Sequence, residues 1–328
     1  MRVLIVKLSS LGDVVHAMPV VHDIRAAHPQ ALIDWVVEPG FAPLVRRVDG
    51  VHAVVECALR RWSKAWWTAA VRAEWHAFRA RLEQTRYDAV LDLQGLTKSA
   101  LIARLAPLAS GGLRYGLANR TEGASHELPA RWLVDRAIRI EPRIHALDRS
   151  RVLAAQALGY RAEGPPVFGL RAHAAATDGP PLLVLVHGTS RDDKLWPETN
   201  WIELGRRAIA EGWQIALPHA GEVERARVAR IAAAIGSDAV QVWPAMNLDA
   251  LVDRLGAAQG VIGVDSGLSH IAVALDLPHV QLYNWPTAWR TGPLAAHGHR
   301  HQVAVEAQPT PTLDAVWRAW QQVREAAR

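Results

Sequence analysis

The chain is built from short β-branched apolar runs that alternate with segments of helical spacing. One run, 260–264, ends in the polar turn Asp265-Ser266-Gly267 and continues at helical spacing through 277. This order predicts a strand, a tight turn and a helix. Because the first N–H groups of a helix have no intrahelical partner and its dipole is positive there, such a turn suits a bound phosphate. A simple helix cap formed by Asp265 and Ser266 is the alternative interpretation.

The first half of the chain begins with an apolar run at 4–6, which leads into Ser9-Ser10-Leu11-Gly12-Asp13 and a helical pattern. Asp13 therefore lies in the first turn of a helix, where the dipole favours a carboxylate even without a functional role. Pro19 is expected to kink or shift this helix locally. Further elements are predicted as strands at 33–37, 51–55 and 89–93 and as helices at 62–86 and 147–158.

The second half repeats the alternation. Its predicted elements are strands at 182–186, 214–217, 239–242, 260–264 and 279–283 and helices at 197–211, 222–235, 248–257 and 313–327, the last capped by Thr310 or Thr312. Alternating strands and helices predict parallel, doubly wound α/β sheets, and 328 residues suffice for two such domains. Pro- and Gly-rich segments at 164–166 and 178–181 indicate a linker, so we expect domains at 1–166 and 178–308.

Composition narrows the class of protein further. The single cysteine, Cys57, excludes an intramolecular disulfide and a thiolate metal cluster, and its expected place is the core. The N-terminal apolar run is too short for a signal peptide, and no run is long enough to span a bilayer. We therefore expect a cytosolic protein whose membrane contact, if present, is peripheral. The net charge of +5 comes mainly from arginine and indicates acidic partners without identifying them.

Polar residues follow predicted strands in both halves, and together they predict a chemistry. In the second half, the hydroxyls of Thr189 and Ser190, the ammonium of Lys194 and the helix after Gly267 could hold a diphosphate without a metal. In the first half, we expect the carboxylate of Asp13 to face that diphosphate across a cleft. A carboxylate opposite a leaving group is suited to deprotonating an incoming hydroxyl.

Other chemistries fit the motifs less well. A dehydrogenase should have Gly-x-Gly-x-x-Gly after a strand, and neither half has it. A serine hydrolase would need small residues two positions either side of Ser266, where Val264 and Leu268 stand. The segment 92–99 lacks the second glycine of a phosphate loop. The alternating histidines at 297, 299 and 301 have no acidic or cysteine ligand nearby in sequence, so we expect surface histidines and no metal site.

The predicted helix 62–86 carries an apolar stripe and many basic residues. The stripe consists of Trp67, Val71, Trp75, Phe78 and Leu82. One interpretation is a helix whose stripe faces the core and whose basic side is solvated. The other is a surface that meets an anionic, partly lipidic partner, since tryptophan suits an interface and arginine suits acidic groups.

Taken together, the motifs resemble the heptosyltransferases of lipopolysaccharide core synthesis, specifically the type that adds the first heptose to Kdo. The resemblance runs along nearly the whole chain and rests on four segments. They are Met1–Lys7 with Ser9–His16, Arg60–Trp66, Thr189–Lys194 with Trp196-Pro197, and Asp265–His270. The chain departs from the family pattern at Ser63, where a basic residue is usual, at Ser266, where threonine is common, and at Tyr283-Asn284-Trp285-Pro286, where Tyr-Gly-Pro is usual.

The resemblance implies a GT-B architecture, in which two Rossmann-like domains face a central cleft and the last helix, 312–328, crosses back to the first domain. It implies inverting transfer of L-glycero-D-manno-heptose from ADP-heptose to the Kdo of Kdo-lipid A, at the cytoplasmic face of the inner membrane and without a cofactor or nucleic acid.

The resemblance also assigns roles to individual residues, with Asp13 as the general base. The diphosphate would be held by Thr189, Ser190, Lys194, Ser266, Gly267 and His270. Glu222 would bind the ribose, Met246 would lie beside the adenine, and Asp265 would lie at the sugar. The acceptor would be bound by Ser10, Arg60, Arg61, Lys64 and Arg120.

Two alternatives remain open at this point. A related transferase, such as the heptosyltransferase that adds the second heptose or another nucleotide-sugar transferase of the same fold, would share these motifs. A non-catalytic nucleotide-sugar binding protein would use the same cleft, but it would have no need of a general base or of a basic acceptor site.

Overall fold

The computed structural model describes residues 1–173 and 179–327, and the chain divides into two compact units, Met1–Arg171 and Ala172–Arg328. The division agrees with the predicted linker region. Asp178, where the second domain was expected to begin, and Arg328, where the last helix was expected to end, lie outside the described residues. Each unit contains one parallel six-stranded sheet.

The first unit has the strand order β3-β2-β1-β4-β5-β6, which is the dinucleotide-fold order whose switch point lies between β1 and β4. Its strands are β1 Arg2–Val6, β2 Leu32–Val37, β3 Val51–Glu56, β4 Tyr87–Asp92, β5 Leu108–Leu117 and β6 Arg136–Ile138. Its helices are α1 Leu11–Ala17, α2 Pro19–Ala27, α3 Ala42–Val45, α4 Leu59–Ala65, α5 Ala69–Glu83, α6 Thr97–Leu105 and α7 Ala146–Leu158.

The second unit has the order β12-β11-β10-β7-β8-β9, which is the same winding with its switch point between β7 and β10. Its strands are β7 Leu182–Val186, β8 Gln214–Leu217, β9 Val240–Val242, β10 Gly260–Val264, β11 His279–Tyr283 and β12 Gln302–Glu306. Its helices are α8 Glu198–Ala210, α9 Glu222–Ile235, α10 Leu248–Gly256, α11 Gly267–Ala274, α12 Ala288–Thr291 and α13 Leu313–Ala326.

The last helix, α13, belongs to the second unit. Its buried side chains join the core of that unit, and the ring of Trp320 lies 5.2 Å from the ring of Trp213. A Cβ at Gly260 would lie 2.0 Å from Trp320, so the absence of a side chain in β10 makes room for the indole. The expectation that this helix crosses back to the first domain is therefore corrected. Thr312, rather than Thr310, caps it by accepting a hydrogen bond from the N–H of Ala315 at 3.3 Å.

The predicted helix 62–86 is two helices in the structure. α4 ends at Ala65, and Thr68 starts α5 by accepting a hydrogen bond from the N–H of Val71 at 3.3 Å. The break leaves Trp67, the first member of the predicted core stripe, 64% exposed. Since Val71, Phe78 and Leu82 are buried, the rest of the stripe faces the core as predicted.

Two further differences concern backbone conformation. The Gly-rich, polar composition of residues 111–126 predicts a loop with Arg114 as a candidate anion contact, but the stretch begins inside β5, where Arg114 donates hydrogen bonds to the carbonyls of Ala103 and Ala106. Arg114 is thus a structural residue. The predicted helix is interrupted locally at Pro19, since α1 ends at Ala17 and Pro19 occupies the first position of α2, where its missing N–H costs nothing. None of the described helices combines the length and the apolar character that a membrane span requires.

Candidate functional site

The first cluster lies where β1 ends and α1 begins. The backbone N–H and the hydroxyl of Ser10 donate hydrogen bonds to Asp13 Oδ2 at 3.2 and 2.8 Å, so the loop and the first turn of α1 orient this carboxylate. Its other oxygen, Oδ1, lies 3.5 Å from the ammonium of Lys7 and 3.6 Å from the guanidinium of Arg149. The Asp13 side chain keeps 39% of its surface exposed, and therefore remains accessible to a ligand.

The two cations beside Asp13 are themselves almost completely buried. Lys7 is the residue after β1 and Arg149 lies on α7, and their side chains are 3% and 7% exposed. Desolvation opposes ionisation of Asp13, but the charge of Lys7, the hydrogen bond from Ser10 and the charge of Arg149 outweigh it. They hold the pKa of Asp13 well below its usual range. Asp13 is thus a carboxylate at every physiological pH.

Two side chains brace the loop that carries Ser10. Gln94, which follows β4, accepts hydrogen bonds from the N–H groups of Leu8 and Ser9 at 2.9 and 3.3 Å. Asp92, at the end of β4, in turn accepts from the N–H of Gln94 at 3.0 Å. Burial raises the pKa of Asp92 to about 6, although hydrogen bonds from Gln94 and Ser99 lower it. The turn at 92–99, which superficially resembles a phosphate loop, therefore has a structural role: it holds the loop that leads to Asp13.

The predicted acceptor residues are exposed, and three of them lie on α4. The N–H of Arg60 donates to Glu38 Oε1 at 3.0 Å, and the N–H of Glu38 donates to the carbonyl of Leu8 at 3.2 Å. These bonds tie the start of α4, with Arg60, Arg61 and Lys64, to the sheet edge where the Asp13 loop begins. The guanidinium of Arg61 also donates a hydrogen bond to the carboxylate of Glu74 at 2.9 Å.

Arg120 lies in a loop that is connected to the Asp13 cluster through the next residue, Thr121. Its neighbour Thr121 is buried and accepts a hydrogen bond from Arg149 at 3.2 Å, while Arg149 pairs with Asp13. The side chain of Asn119 donates to the carbonyl of Ile140 at 2.9 Å and fixes the loop before Arg120. The structure thus connects Thr121, the residue after Arg120, to Asp13 through Arg149.

The second cluster is centred on Asp265, directly after β10. Lys194 donates to Asp265 Oδ2 at 2.5 Å, and His270 Nε2 lies 3.3 Å from Oδ1. The hydroxyl of Thr189 donates to the main-chain carbonyl of Asp265 at 3.1 Å. Segments that follow β7 and β10 therefore meet at the switch point of this sheet, and this brings together polar residues that the sequence predicted to act jointly.

Asp265 does not serve as a helix cap. Its burial raises the pKa, but His270 and Lys194 outweigh this effect and hold the pKa of Asp265 well below its usual range. Ser266 occupies the N-cap position of α11 without a side-chain capping bond. The half-buried Ser266 and Gly267 and the exposed Ser190 lie around this ion-paired centre. The cluster offers an ammonium, an imidazole, hydroxyls and a helix N-terminus, which suit a diphosphate.

The two residues that the resemblance assigns to nucleoside contacts, Met246 and Glu222, lie in different surroundings. Met246 is half-buried, in the loop that precedes α10. Glu222 pairs with Arg225 at 2.5 Å, and its side chain is 74% exposed. Glu224, which sequence reasoning missed, accepts a hydrogen bond from the N–H of Ala220 at 2.7 Å, and a Cβ at Gly188 would lie 2.5 Å from its carboxylate. Glu224 thus lies next to the Thr189 segment.

Asn284, where the chain departs from the family pattern, holds the loop that carries Lys194. Its amide donates to the carbonyls of Asp193 and Leu195 at 2.8 and 3.0 Å, and its oxygen accepts from the hydroxyl of Thr310 at 2.7 Å. These bonds connect the end of β11 to the residues on both sides of Lys194. The buried side chain of Asn284 therefore fixes the Lys194 backbone.

Replacing Asn284 by alanine is expected to weaken ADP affinity about tenfold, because two hydrogen bonds of about 1 kcal/mol each no longer hold the Lys194 loop. Isothermal titration with ADP measures this change. Thr310→Val is the matched control: it removes one bond to Asn284 but leaves both carbonyl contacts, so its effect should be smaller. Equal ADP affinities in wild type and Asn284→Ala would contradict this role.

Lys7, Gln94 and Arg149 were also missed by sequence reasoning. A lysine that directly follows a buried strand was the available signal for Lys7. Gln94 and Arg149 are 85 or more residues away from the loop they contact, and no local pattern marks either of them.

Known proteins are similar to this chain in both sequence and structure. The sequence profile of glycosyltransferase family 9 (heptosyltransferase) matches residues 75–318. Lipopolysaccharide heptosyltransferase 1 of Salmonella typhimurium is 41% identical over 290 residues, which cover 86% of this chain and 88% of that protein.

Two solved structures are similar over both units. The E. coli heptosyltransferase WaaC with ADP matches with a TM-score of 0.86 and 35% identity, covering 98% of this chain and 100% of that chain. The same enzyme with ADP-2-deoxy-2-fluoro heptose matches with a TM-score of 0.83 and 36% identity, covering 98% and 99%. These likenesses, with the two Rossmann-like sheets, confirm the expected GT-B fold.

Proposed function

We propose that this chain, which belongs to glycosyltransferase family 9, the heptosyltransferases, transfers L-glycero-D-manno-heptose from ADP-heptose to the Kdo of the lipopolysaccharide inner core. One structural observation carries the proposal. Each unit places a polar cluster at the carboxyl edge of its sheet, one around the ionised Asp13 and the other around Lys194 and Asp265. A base in one unit and an anion site in the other are what glycosyl transfer from a nucleotide sugar requires.

The donor is assigned to the second unit. The diphosphate lies against Lys194 and the N-terminus of α11, with contacts from Thr189, Ser190, Ser266, Gly267 and His270. Asp265 contacts the heptose, and Met246 lies beside the adenine. Because Lys194 and the helix dipole are positive, they stabilise the charge that develops on ADP as the glycosidic bond breaks.

The acceptor is assigned to the first unit. Arg60, Arg61, Lys64 and Arg120 contact its carboxylates and phosphates, and Ser10 lies beside the reacting hydroxyl. Asp13 takes the proton of that hydroxyl, whose oxygen attacks the anomeric carbon as ADP departs from the opposite face. One displacement of this kind inverts the anomeric configuration. The acceptor is a lipid, so the enzyme works in peripheral contact with the cytoplasmic face of the inner membrane.

Glu224 is a better candidate than Glu222 for the ribose contact, because it lies beside Gly188 and Thr189 whereas Glu222 pairs with Arg225. Glu224→Ala is expected to raise the KM for ADP-heptose about tenfold, as expected for the loss of hydrogen bonds between a carboxylate and two ribose hydroxyls. Glu222→Ala is the matched control and should change KM less than twofold. Steady-state kinetics at saturating acceptor would contradict the assignment if Glu222→Ala had the larger effect.

Transfer is expected to need no metal ion, because Lys194, the α11 N-terminus and neighbouring hydroxyls can together neutralise the diphosphate. Initial rates measured after dialysis against EDTA should equal those of the untreated enzyme within twofold. The control is the same assay with added Mg²⁺ or Mn²⁺. A rate that EDTA abolishes and either ion restores would show that a cation binds the diphosphate instead.

The proposed activity is tested by incubating purified protein with ADP-heptose and Kdo-lipid A. We expect release of ADP and a lipid product heavier by one heptose, both detected by mass spectrometry. The same protein should bind ADP-heptose by calorimetry. A protein that binds ADP-heptose but releases no ADP with this acceptor or any related one would be a nucleotide-sugar binding protein and not a transferase.

A further inference from the structure

A pocket of about 260 Å³ lies between α4 and α5 of the first unit, and the established and proposed contacts leave it unused. Its lining is mainly aromatic and aliphatic and consists of Leu59, Trp62, Ser63, Trp66, Val71, Arg72 and Trp75. The break at 66–68 that separates the two helices creates this pocket.

The pocket is rigid at one end and offers little hydrogen bonding. The ring of Trp62 contacts those of Trp75 and Phe78 at centroid distances of 5.7 and 5.5 Å. The indole N–H of Trp62 donates to Glu74 at 2.8 Å, and the hydroxyl of Ser63 donates to the carbonyl of Arg60 at 3.1 Å. Since these polar groups are already paired within the protein, the pocket presents carbon surface to an occupant.

Two large apolar side chains beside the pocket are exposed. Trp66, which lines it, is 68% exposed, and Trp67 is 64% exposed. Burying aromatic surface is favourable, and an exposed apolar patch with a polar rim marks an interaction site. The apolar stripe therefore faces the core along α5, whereas Trp66 and Trp67, between α4 and α5, face solvent.

Charge at the rim identifies the chemistry of the occupant. The stretch 59–83 has six basic and two acidic side chains. Glu74 is paired with Arg61, and no described carboxylate forms an ion pair with Arg60 or Lys64. An apolar pocket beside two exposed cations is complementary to a molecule with an acyl chain and an anionic headgroup.

We propose that the pocket between α4 and α5 binds an acyl chain of the anionic lipid acceptor, whose acidic groups contact Arg60 and Lys64. This inference rests on the proposed function, because it names the part of the acceptor that the tryptophans recognise. α4 has seven residues and is about 10 Å long, so one short helix presents both the cations and the pocket.

The test compares two acceptors, Kdo-lipid A and its deacylated form, at saturating ADP-heptose in the same detergent. Wild-type enzyme should have a KM at least tenfold lower for the acylated acceptor, a factor that burial of about two methylene groups supplies. Ser63→Phe, which fills the pocket, and Trp66→Ser, which removes its wall, should bring the two KM values together. Kinetics with the deacylated acceptor should not change in either variant.

Trp132→Ser is the matched control, because Trp132 is 69% exposed in the same unit but does not line the pocket. It should leave both KM values unchanged. Trp67→Ser separates the pocket from simple bilayer contact. If Trp67→Ser weakened use of the acylated acceptor as much as Trp66→Ser while Ser63→Phe had no effect, the segment would bind a bilayer surface and the proposal would be wrong. Equal KM values for both acceptors in wild type would also overturn it.

A binding measurement keeps this proposal separate from the proposed function. The probe is monomeric short-chain phosphatidic acid, with glycerol 3-phosphate as the headgroup without chains. Wild type should bind phosphatidic acid at least tenfold more tightly than Ser63→Phe does, and glycerol 3-phosphate should bind both equally weakly. Absence of turnover with both acceptors, together with this binding difference, would overturn the proposed function alone. Equal binding of phosphatidic acid to wild type and Ser63→Phe would overturn the pocket.

Discussion

Replacing Asp13 by alanine is expected to lower the rate of heptose transfer by about 10²–10⁴-fold, the usual contribution of a positioned general base. Its carboxylate is oriented by Ser10 and held ionised by Lys7 and Arg149, so it is available to accept the proton of the acceptor hydroxyl. ADP affinity should remain within twofold of wild type, because the donor residues belong to the other unit. Single-turnover kinetics and calorimetry measure the two quantities.

Asp13→Asn is the control for this experiment, since the amide keeps a hydrogen bond to Ser10 but cannot take a proton. It should be as slow as Asp13→Ala, and both variants should melt at a lower temperature than wild type, because the buried Lys7 and Arg149 lose their carboxylate partner. The pKa of Asp13 lies below its usual range, so acid should remove its basic form only below about pH 4. Turnover near the wild-type rate in Asp13→Asn would exclude Asp13 as the base.

Replacing Lys194 by methionine is expected to weaken ADP affinity by about 10–100-fold, the range for losing a hydrogen bond to a charged group. Lys194 donates to Asp265 and is the ammonium at the switch point of the second sheet. Without it, the buried carboxylate of Asp265 loses its ammonium partner and repels the diphosphate. Removing this charge also raises the pKa of Asp265, which Lys194 and His270 hold low.

Arg191→Met is the matched control for Lys194. Arg191 is a nearby cation of the same loop, but it is exposed and paired with Asp193. Its loss should change ADP affinity less than twofold if the effect of Lys194 depends on its position at Asp265. Equal losses of affinity in the two variants would mean that the net charge of the loop, and not the Lys194–Asp265 pair, determines donor binding.

The sequence predicts the central strands and the polar residues that follow them because their physical signal is local. β1, β4, β7 and β10 are buried on both faces, so they appear as continuous apolar runs that end in polar residues. β5 contains Gly111 and Gly112 and is only partly buried, and it was mistaken for a loop. β12, an edge strand, was not predicted at all.

The site residues also fall into two groups, those that the local sequence marks and those that only the folded structure reveals. Asp13, Lys194 and Asp265 follow strands, and the resemblance to heptosyltransferases marks them as well. Arg149 and Asn284 act through contacts that the sequence does not encode locally, since each lies on an element that only the folded sheet brings near the loop it holds. The place of α13 was likewise decided by packing, through the fit of Trp320 against Gly260.

The most direct test of the central claim compares two acceptors in one assay with purified enzyme and ADP-heptose. One acceptor is heptose-free Kdo-lipid A, and the other already carries the first heptose. The proposed function predicts that ADP release and addition of one heptose occur with the heptose-free acceptor, and that the monoheptosylated acceptor gives at most a small fraction of that rate. Transfer confined to the monoheptosylated acceptor would contradict it and would assign the chain to the second heptose addition.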